Sequence, residues 1–360
     1  MTFDDSRFDV EAVAAGAWAP SRYGPDDVLG TYNEVTDQKR ANALAMLDLT
    51  RPIRTYSMGD GIWPGYPAFA DRQFSQTLVV AGYDPGEGFE GQIVSGTEGL
   101  GQSKLGYSEE RVSYTFNMSS KINGFTHAAV DGTFYNGHKG ADLARTDGVT
   151  AMDVPSWGPP LLTRGLMIDA AAYVASTTGD VEANQAGLPR LMDRHRITVE
   201  QIEGAIERQG LPRPEPGDAL CLRTGWISLT REDPERFLAA SPGPWIAENK
   251  WLASHRPALV STDSWIWGVF DFEATGGWVS AGHQIMLVKE GIRMAESMSC
   301  EEIAAAGVDR FVFCHSPLRA KGSTSCSSPP MAIANPPGAN PPGANPPGAN
   351  PPGANPPGAK

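Results

Sequence analysis

The sequence has no long hydrophobic run, no surplus of basic residues and few cysteines. Its 29 lysines and arginines face 42 acidic residues, for a formal net charge of −13. This balance argues against nucleic acid as a partner, because phosphate binding needs a surplus of basic side chains. No stretch approaches the roughly 18 apolar residues that span a bilayer, and the acidic start, Met1 to Asp9, lacks the apolar run of a signal peptide. We therefore expect no membrane partner and a cytoplasmic protein.

The four cysteines show no Cys-x-x-Cys spacing. They are Cys221, Cys300, Cys314 and Cys326. Cys221 and Cys314 lie in apolar runs, as small core residues do. Neither a zinc knot nor a disulfide framework is indicated.

The composition divides the chain into one folded domain and a tail. A chain of 360 residues that is 41% hydrophobic can bury a large core. From about Ser327 the composition changes, and an Ala-Asn-Pro-Pro-Gly repeat then runs almost to the end. Proline removes hydrogen-bond donors and the repeat offers nothing apolar to bury. We predict a single domain over residues 1–330 and a disordered tail over residues 331–360.

Local patterns favour an α/β domain with a mixed sheet. Thr198 and Gln201 form a capping box before a helix that ends at Gly210. Apolar runs at 218–224 and 258–263 predict buried strands. Because helices and strands alternate only loosely, and some strands follow each other directly, a mixed sheet is favoured over a doubly wound parallel one.

The segment from Met118 to His138 carries the chemistry. Apolar residues alternate with polar ones from Val112 to Met118, which predicts a strand. His127, Asp131 and His138 follow in a glycine-rich stretch, as metal-assisted hydrolases often present their ligands. A surface hairpin with an incidental histidine remains the alternative. On an extended strand His127 and Asp131 would stand ~13 Å apart, so they share an ion only if the chain turns between them.

Parts of this segment resemble a known signature. Thr126-His127 matches the Thr-His pair of a His-x-Gly-Thr-His-x-Asp-x-x-x-His run, and Phe134–Gly137 matches the Tyr-Asn-Gly that follows it. The signature belongs to the cyclase family, which includes bacterial kynurenine formamidases and isatin hydrolases. Other stretches that resemble the family are 22–33, 217–226, His283 with Glu296, and 321–325.

The signature is altered in two places. Asn123 stands where the family has its first histidine, and Ala129 stands where it has the aspartate. The Asp-x-x-x-His part is missing, as if about six residues had been lost after Ala128. Asp131 is the nearby carboxylate that is left to replace the lost one.

The resemblance implies a compact barrel-like sheet flanked by helices, of the swivelling β/β/α type. It also implies a metal-dependent hydrolase of an amide or formamide carbonyl, with arylformamidase-like action on N-formylkynurenine in tryptophan catabolism. The substrate would be a small molecule with an aromatic amide or formamide, and the enzyme a homodimer.

The resemblance further implies a zinc or manganese ion with His127, His283 and Glu296 as ligands. Asp131, as the replacement carboxylate, is the fourth candidate ligand. His127 and His138 are the candidate catalytic residues. His138 could act as the base, but it lies beyond the Tyr-Asn-Gly and would need a rearrangement to reach the site. Because the signature is altered, we expect weak metal binding. The alternative function is a non-catalytic or impaired homologue that keeps the fold and the oligomer but lacks a complete metal site.

Overall fold

The fold is known from a computed structural model that describes residues 3–271 and 273–337. Its strands, in chain order, are β1 (Arg54–Ser57), β2 (Phe74–Ala81), β3 (Gln92–Ile93), β4 (Tyr107–Tyr114), β5 (Lys121–Asn123), β6 (Ala144–Arg145), β7 (Gly148–Val149), β8 (Leu161–Asp169), β9 (Val181–Ala183), β10 (Pro189–Leu191), β11 (Ala219–Arg223), β12 (Leu259–Thr262), β13 (Arg293–Glu296), β14 (Arg310–His315), β15 (Ser325–Cys326) and β16 (Met331–Ala334).

The α-helices of the described residues are mostly short. They are α1 (Val10–Ala14), α2 (Asp37–Leu44), α3 (Gly140–Leu143), α4 (Ala170–Thr177), α5 (Val199–Gln209), α6 (Leu229–Glu232), α7 (Pro234–Ala239), α8 (Ile246–Ser254), α9 (Ala281–His283) and α10 (Glu301–Ala305). A π-helix, Gln284–Glu290, continues α9 directly. Single 3₁₀ turns lie at Gly30–Glu34, Tyr135–Gly137, Val154–Ser156 and Trp226–Ser228. None of the helices in these ranges is both long and apolar enough to cross a membrane.

Within the described ranges, nine strands form one mixed sheet in the order β1-β16-β14-β8-β11-β12-β13-β5-β15. The four strands β8, β11, β12 and β13 are parallel, and the flanking pairs are antiparallel. Apolar clusters cover both faces of this sheet, as parallel strands require. The sheet curls into a half-barrel with helices around it. The predicted mixed, barrel-like α/β fold is confirmed.

The best local sequence signal gives the expected element. Thr198 caps α5 by accepting a hydrogen bond from the Gln201 backbone N–H, and the Gln201 side chain bonds back to Thr198. Gly210 ends the helix at a φ of 63°, a left-handed conformation that glycine adopts without strain.

The strand predicted from Val112 to Met118 is wrong in its extent. β4 ends at Tyr114, and it belongs to a separate three-stranded sheet of order β3-β2-β4. The chain then bends through 116–120, where Ser119 has a φ of 55°. The large sheet is joined only afterwards, by β5. The β5 strand contains Lys121 and Asn123. Lysine and asparagine are rarely buried, so an apolar pattern does not predict this strand.

The predicted domain boundary at 330 lies too early. β16 pairs with β1 on one side and with β14 on the other, and its Ala332 and Ala334 are buried. Met331-Ala-Ile-Ala334 alternates as a strand does, and the proline repeat begins only after it. Residues 338–360, the rest of the predicted tail, lie outside the described residues.

Ending the chain after Pro330 is therefore expected to lower the free energy of unfolding by about 2 kcal/mol, through lost strand hydrogen bonds and burial. Urea denaturation measures this loss. A chain that ends after Pro337 keeps β16 and loses only the repeat, so it should match the full chain. Equal stability of the 1–330 chain would contradict the role of β16.

His315, at the end of β14, makes stability depend on pH. It is 3% exposed, and its Nε2 lies 2.9 Å from Ser328 Oγ. Burial lowers the pKa of His315 to about 4, against about 6.5 in an unfolded chain. Below pH 6.5 the His315 side chain therefore binds a proton in the unfolded state but not in the folded state. The stability that neutral His315 contributes is full above pH 6.5 and falls as the pH drops toward 4.

On going from pH 7.5 to pH 5, protonation of His315 in the unfolded state should lower the free energy of unfolding by about 2 kcal/mol. His315→Gln has no titrating ring and should lose less stability over this range. Urea denaturation of both proteins at both pH values measures the difference. Parallel losses would show that His315 is not the group responsible.

Candidate active site

A cavity of about 300 Å³ opens beside β5 and β13. Aromatic side chains form much of its wall: the Phe69 and Trp265 rings stack with centroids 5.3 Å apart, and Phe270 meets Trp265 edge-on at 5.2 Å. Phe69 comes from the loop that precedes β2, and Trp265 follows β12. The cavity thus lies at the carboxyl end of a parallel strand, where open α/β sheets usually bind ligands.

Strand register places a charged pair in this cavity. β5 runs antiparallel to β13, with Lys121 opposite Glu296 and Asn123 opposite Met294. Side chains alternate along a strand, so Lys121, Asn123 and Glu296 share one face. Lys121 Nζ lies 3.2 Å from Glu296 Oε2, with the two side chains 3% and 2% exposed. Burial lowers the pKa of Lys121, and the Glu296 carboxylate opposes that shift.

Both oxygens of Glu296 accept hydrogen bonds. Asn123 Nδ2 donates to Oε2 at 2.8 Å, alongside Lys121. The Trp267 backbone N–H donates to Oε1 at 2.6 Å, and His283 Nε2 lies 2.9 Å from the same oxygen. Burial alone would raise the pKa of Glu296, but the Lys121 ammonium and His283 outweigh it and hold the pKa well below its usual range. Glu296 is therefore an ionised carboxylate that only accepts.

This carboxylate decides the tautomer of His283. Since Glu296 only accepts, His283 Nε2 must carry the hydrogen between them. In the neutral ring, Nδ1 then keeps a free lone pair. Nδ1 is buried, has no hydrogen-bond partner among the described residues, and belongs to a side chain that lines the cavity. The ring is held where α9 passes into the π-helix, a distortion that is frequent at functional sites.

His127 reaches the same cavity from the segment after β5. Its ring centroid lies 6.2 Å from that of His283. Asn117 Nδ2 lies 3.2 Å and 3.3 Å from the two ring nitrogens of His127, and it donates to Asn123 Oδ1 at 2.8 Å. Burial, and then His283, lower the pKa of His127 to about 3. His127 is therefore neutral at physiological pH.

The structure places the two other predicted site residues away from this cavity. Val130 is buried and pairs with Thr133, so the turn between them exposes Asp131, which has a φ of 44°. His138 follows the 3₁₀ turn at Tyr135–Gly137, where its backbone carbonyl accepts from the Phe134 N–H. Neither residue lines the cavity. His127, His283 and Glu296 are the predicted residues that come together.

Sequence reasoning missed Lys121, Asn117 and Arg72, all of which line the cavity. Lys121 carries a usable signal, because a residue two positions before Asn123 on a strand shares its face. Arg72 lies in the loop before β2, and burial lowers the pKa of its guanidinium. Arginine stays charged regardless. Asn117 and Arg72 follow no pattern that the sequence alone reveals.

The side chains present fit a divalent metal poorly. In the part of the chain that the structure describes, no group of three or more His, Cys, Asp or Glu side chains is arranged to hold a metal ion. A closed divalent site normally needs about four ligands. His127 and His283 offer ring nitrogens, but both Glu296 oxygens are engaged by donors and the Lys121 ammonium stands beside them.

One comparison with known proteins identifies a family for this chain. Residues 47–269 match the sequence profile of the Cyclase family, described as "Putative cyclase". No curated protein sequence matches this chain.

Solved structures share the fold at low sequence identity. A structure described as a novel cyclase superposes with a TM-score of 0.70 at 20% identity, over 87% of this chain and 98% of that one. Isatin hydrolase A from Ralstonia solanacearum gives a TM-score of 0.55 at 14% identity, over 92% and 99%. An isatin hydrolase bound to the product analogue thioisatinate gives 0.54 at 12% identity, over 83% and 99%.

Proposed function

We propose that this chain, which belongs to the cyclase family, is an enzyme that hydrolyses the carbonyl–nitrogen bond of an aromatic amide or formamide, as an arylformamidase does. The observation that carries the proposal is His283. His283 lines the cavity and its Nε2 is bound by Glu296, while its buried Nδ1 has no hydrogen-bond partner among the described residues. A base oriented by a carboxylate is a recurring arrangement in acyl transfer.

His283 Nδ1 acts as the general base. It takes a proton from a water molecule while the water oxygen forms a bond to the carbonyl carbon. The carbon–nitrogen bond then breaks as the imidazolium returns that proton to the leaving nitrogen. The products are a carboxylic acid, which is formate for a formamide, and a free amine. Glu296 stabilises the imidazolium and fixes the ring orientation.

Lys121 stabilises the charge that develops on the carbonyl oxygen. Its Nζ donates to the Trp265 carbonyl at 3.0 Å and pairs with Glu296 at 3.2 Å. An ammonium has three N–H donors, so one is left for the oxyanion. A preorganised donor in a site that excludes water is among the strongest catalytic contributions.

The walls of the cavity favour an aromatic substrate. Phe69, Trp265 and Phe270 offer ring faces and edges, and aromatic pairs gain stability beyond the area that they bury. Neutral His127 can donate one hydrogen bond and accept another, so we assign it to substrate positioning. The side chains that the structure describes in this cavity fit the zinc or manganese ion implied by the family resemblance poorly, and no step of this reaction uses such an ion.

Hydrolysis of N-formylkynurenine by the purified full chain tests the proposal. We expect formate and the free amine to appear in equal amounts, at a rate proportional to enzyme concentration. An aliphatic formamide serves as the matched control substrate and should show a much lower kcat/KM, because it cannot pack against the aromatic wall. No enzyme-dependent release from any aromatic amide or formamide would overturn the proposal.

A non-catalytic or impaired homologue is the second candidate. The observation that favours it is the lack of a metal-holding group of side chains in the described ranges, together with Asn123 in place of a signature histidine. Such a protein would bind an aromatic amide in the cavity without cleaving it. Calorimetric binding with no turnover would identify it.

The resemblance also supports a cellular and quaternary setting for the proposed enzyme. We propose a cytoplasmic homodimer that acts on a small molecule in tryptophan catabolism. Light scattering of the purified chain, whose calculated mass is 38.4 kDa, tests the dimer directly. A monomer at micromolar concentration would contradict it.

A further inference from the structure

The positive charge beside Glu296 in this cavity belongs to a side chain of the protein, Lys121. Lys121 Nζ lies 3.2 Å from Glu296 Oε2, and the two side chains are 3% and 2% exposed. The pair is built into the sheet, because the β5–β13 register sets Lys121 directly opposite Glu296. A buried carboxylate needs a charged or hydrogen-bonding partner, and Lys121 supplies the positive charge.

Glu296 has no free acceptor position for a metal ion. A carboxylate offers about four lone-pair sites. Lys121 and Asn123 occupy Oε2, while the Trp267 N–H and His283 occupy Oε1. A metal bound to either oxygen would have to displace one of these donors, three of which lie within 2.6–2.9 Å.

The charge of the cavity also opposes a second cation. The charged side chains that line it are Arg72, Lys121 and Glu296. Two positive charges thus face one negative charge before any ion enters, and a divalent ion would add to the excess. Like charges repel strongly where water is largely excluded.

We propose that Lys121 is the resident cation of this site and that its ammonium excludes a divalent metal from Glu296. The exclusion concerns the protein alone and goes beyond the proposed reaction. The Lys121 side chain neutralises Glu296, and the carboxylate is left to orient His283. The site is therefore organised around a lysine–carboxylate–histidine chain.

Metal analysis of the full chain is the first test. The protein is incubated with Zn²⁺ or Mn²⁺, desalted and analysed by mass spectrometry of its metal content. Its Tm is then measured with each ion and with EDTA. We expect far less than one ion per chain and no change in Tm, since an ion that binds the folded state would raise Tm. One tightly held ion per chain would overturn the proposal.

A substitution isolates the role of the ammonium. Lys121→Met keeps an unbranched side chain that is one atom shorter and removes the charge, so Zn²⁺ or Mn²⁺ should now raise Tm. The exposed Lys104 provides the control Lys104→Met, which should behave like the unsubstituted chain. A folded Lys121→Met protein whose Tm is unchanged by Zn²⁺ and by Mn²⁺ would refute the exclusion by Lys121. If that variant does not fold, the metal content of the unsubstituted chain decides alone.

These readings separate the inference from the proposed function. Metal content and Tm are measured without substrate, so an inactive protein gives the same readings as an active one. A metal-free chain that hydrolyses no aromatic amide or formamide would reject the reaction and leave the role of Lys121 standing. An active chain with one bound metal ion would support the reaction and reject the role proposed for Lys121.

Discussion

Replacing His283 with glutamine is expected to lower kcat for an aromatic formamide by about 100- to 10,000-fold, the range that a general base contributes. The Gln Nε2 amide can take the position of the ring Nε2 and keep the bond to Glu296, which is 2.9 Å in the parent protein. The atom lost is Nδ1. KM should change little, because the ring acts mainly on the reacting water.

The matched control is His138→Gln. His138 was a candidate base from the sequence, and the structure places it outside the residues that line the cavity. We expect its kcat to stay within about twofold of the parent, since proton transfer needs a base within hydrogen-bond reach of the reacting group. Circular dichroism and Tm confirm that both variants fold. Loss of activity in His138→Gln alone would return the role of base to His138.

Buried apolar strands were the most predictable part of the fold. The runs at 218–224 and 258–263 became β11 and β12, which pair in parallel at the centre of the sheet. Their residues are fully buried, so side-chain hydrophobicity and strand position agree. The capping box before α5 was equally informative, because a cap is a local arrangement that needs no tertiary contact.

Short strands that lie next to the edge strands of the sheet were not predictable from the hydrophobic pattern. β5 has three residues, all buried, and two of them are Lys121 and Asn123. Their polar groups are satisfied by Glu296, which lies 173 positions beyond Asn123 in the chain. Pairing at that separation is decided by the tertiary fold, so no local pattern reports it. The β16 strand was missed because the proline-rich repeat follows it directly in the sequence, and the composition of the two stretches was interpreted together.

The site, like the fold, has residues that the sequence predicted correctly and others that it did not. The resemblance pointed to His127, His283 and Glu296, which the structure brings to one cavity. Asp131 was suggested because it is the carboxylate nearest to His127 in sequence. Burial of Val130 turns Asp131 outward instead. Sequence proximity therefore failed where the inward or outward direction of a hairpin decided the outcome.

Lys121 and Glu296 should show the largest stability coupling in the protein. Removing one member of a buried ion pair typically costs 3–5 kcal/mol, because the other charge stays buried without compensation. We therefore expect Lys121→Met and Glu296→Gln each to lower the free energy of unfolding by about 3–5 kcal/mol. Urea denaturation at neutral pH measures both.

The double variant Lys121→Met/Glu296→Gln leaves no charge of the pair in the site. Its loss should be smaller than the sum of the two single losses by at least about 2 kcal/mol, the sign of direct coupling between contacting residues. A double variant that folds where both single variants fail to fold would lead to the same conclusion. Strictly additive losses would mean that the 3.2 Å contact contributes no coupling. Lys121 would then act through its hydrogen bond to the Trp265 carbonyl rather than through its charge.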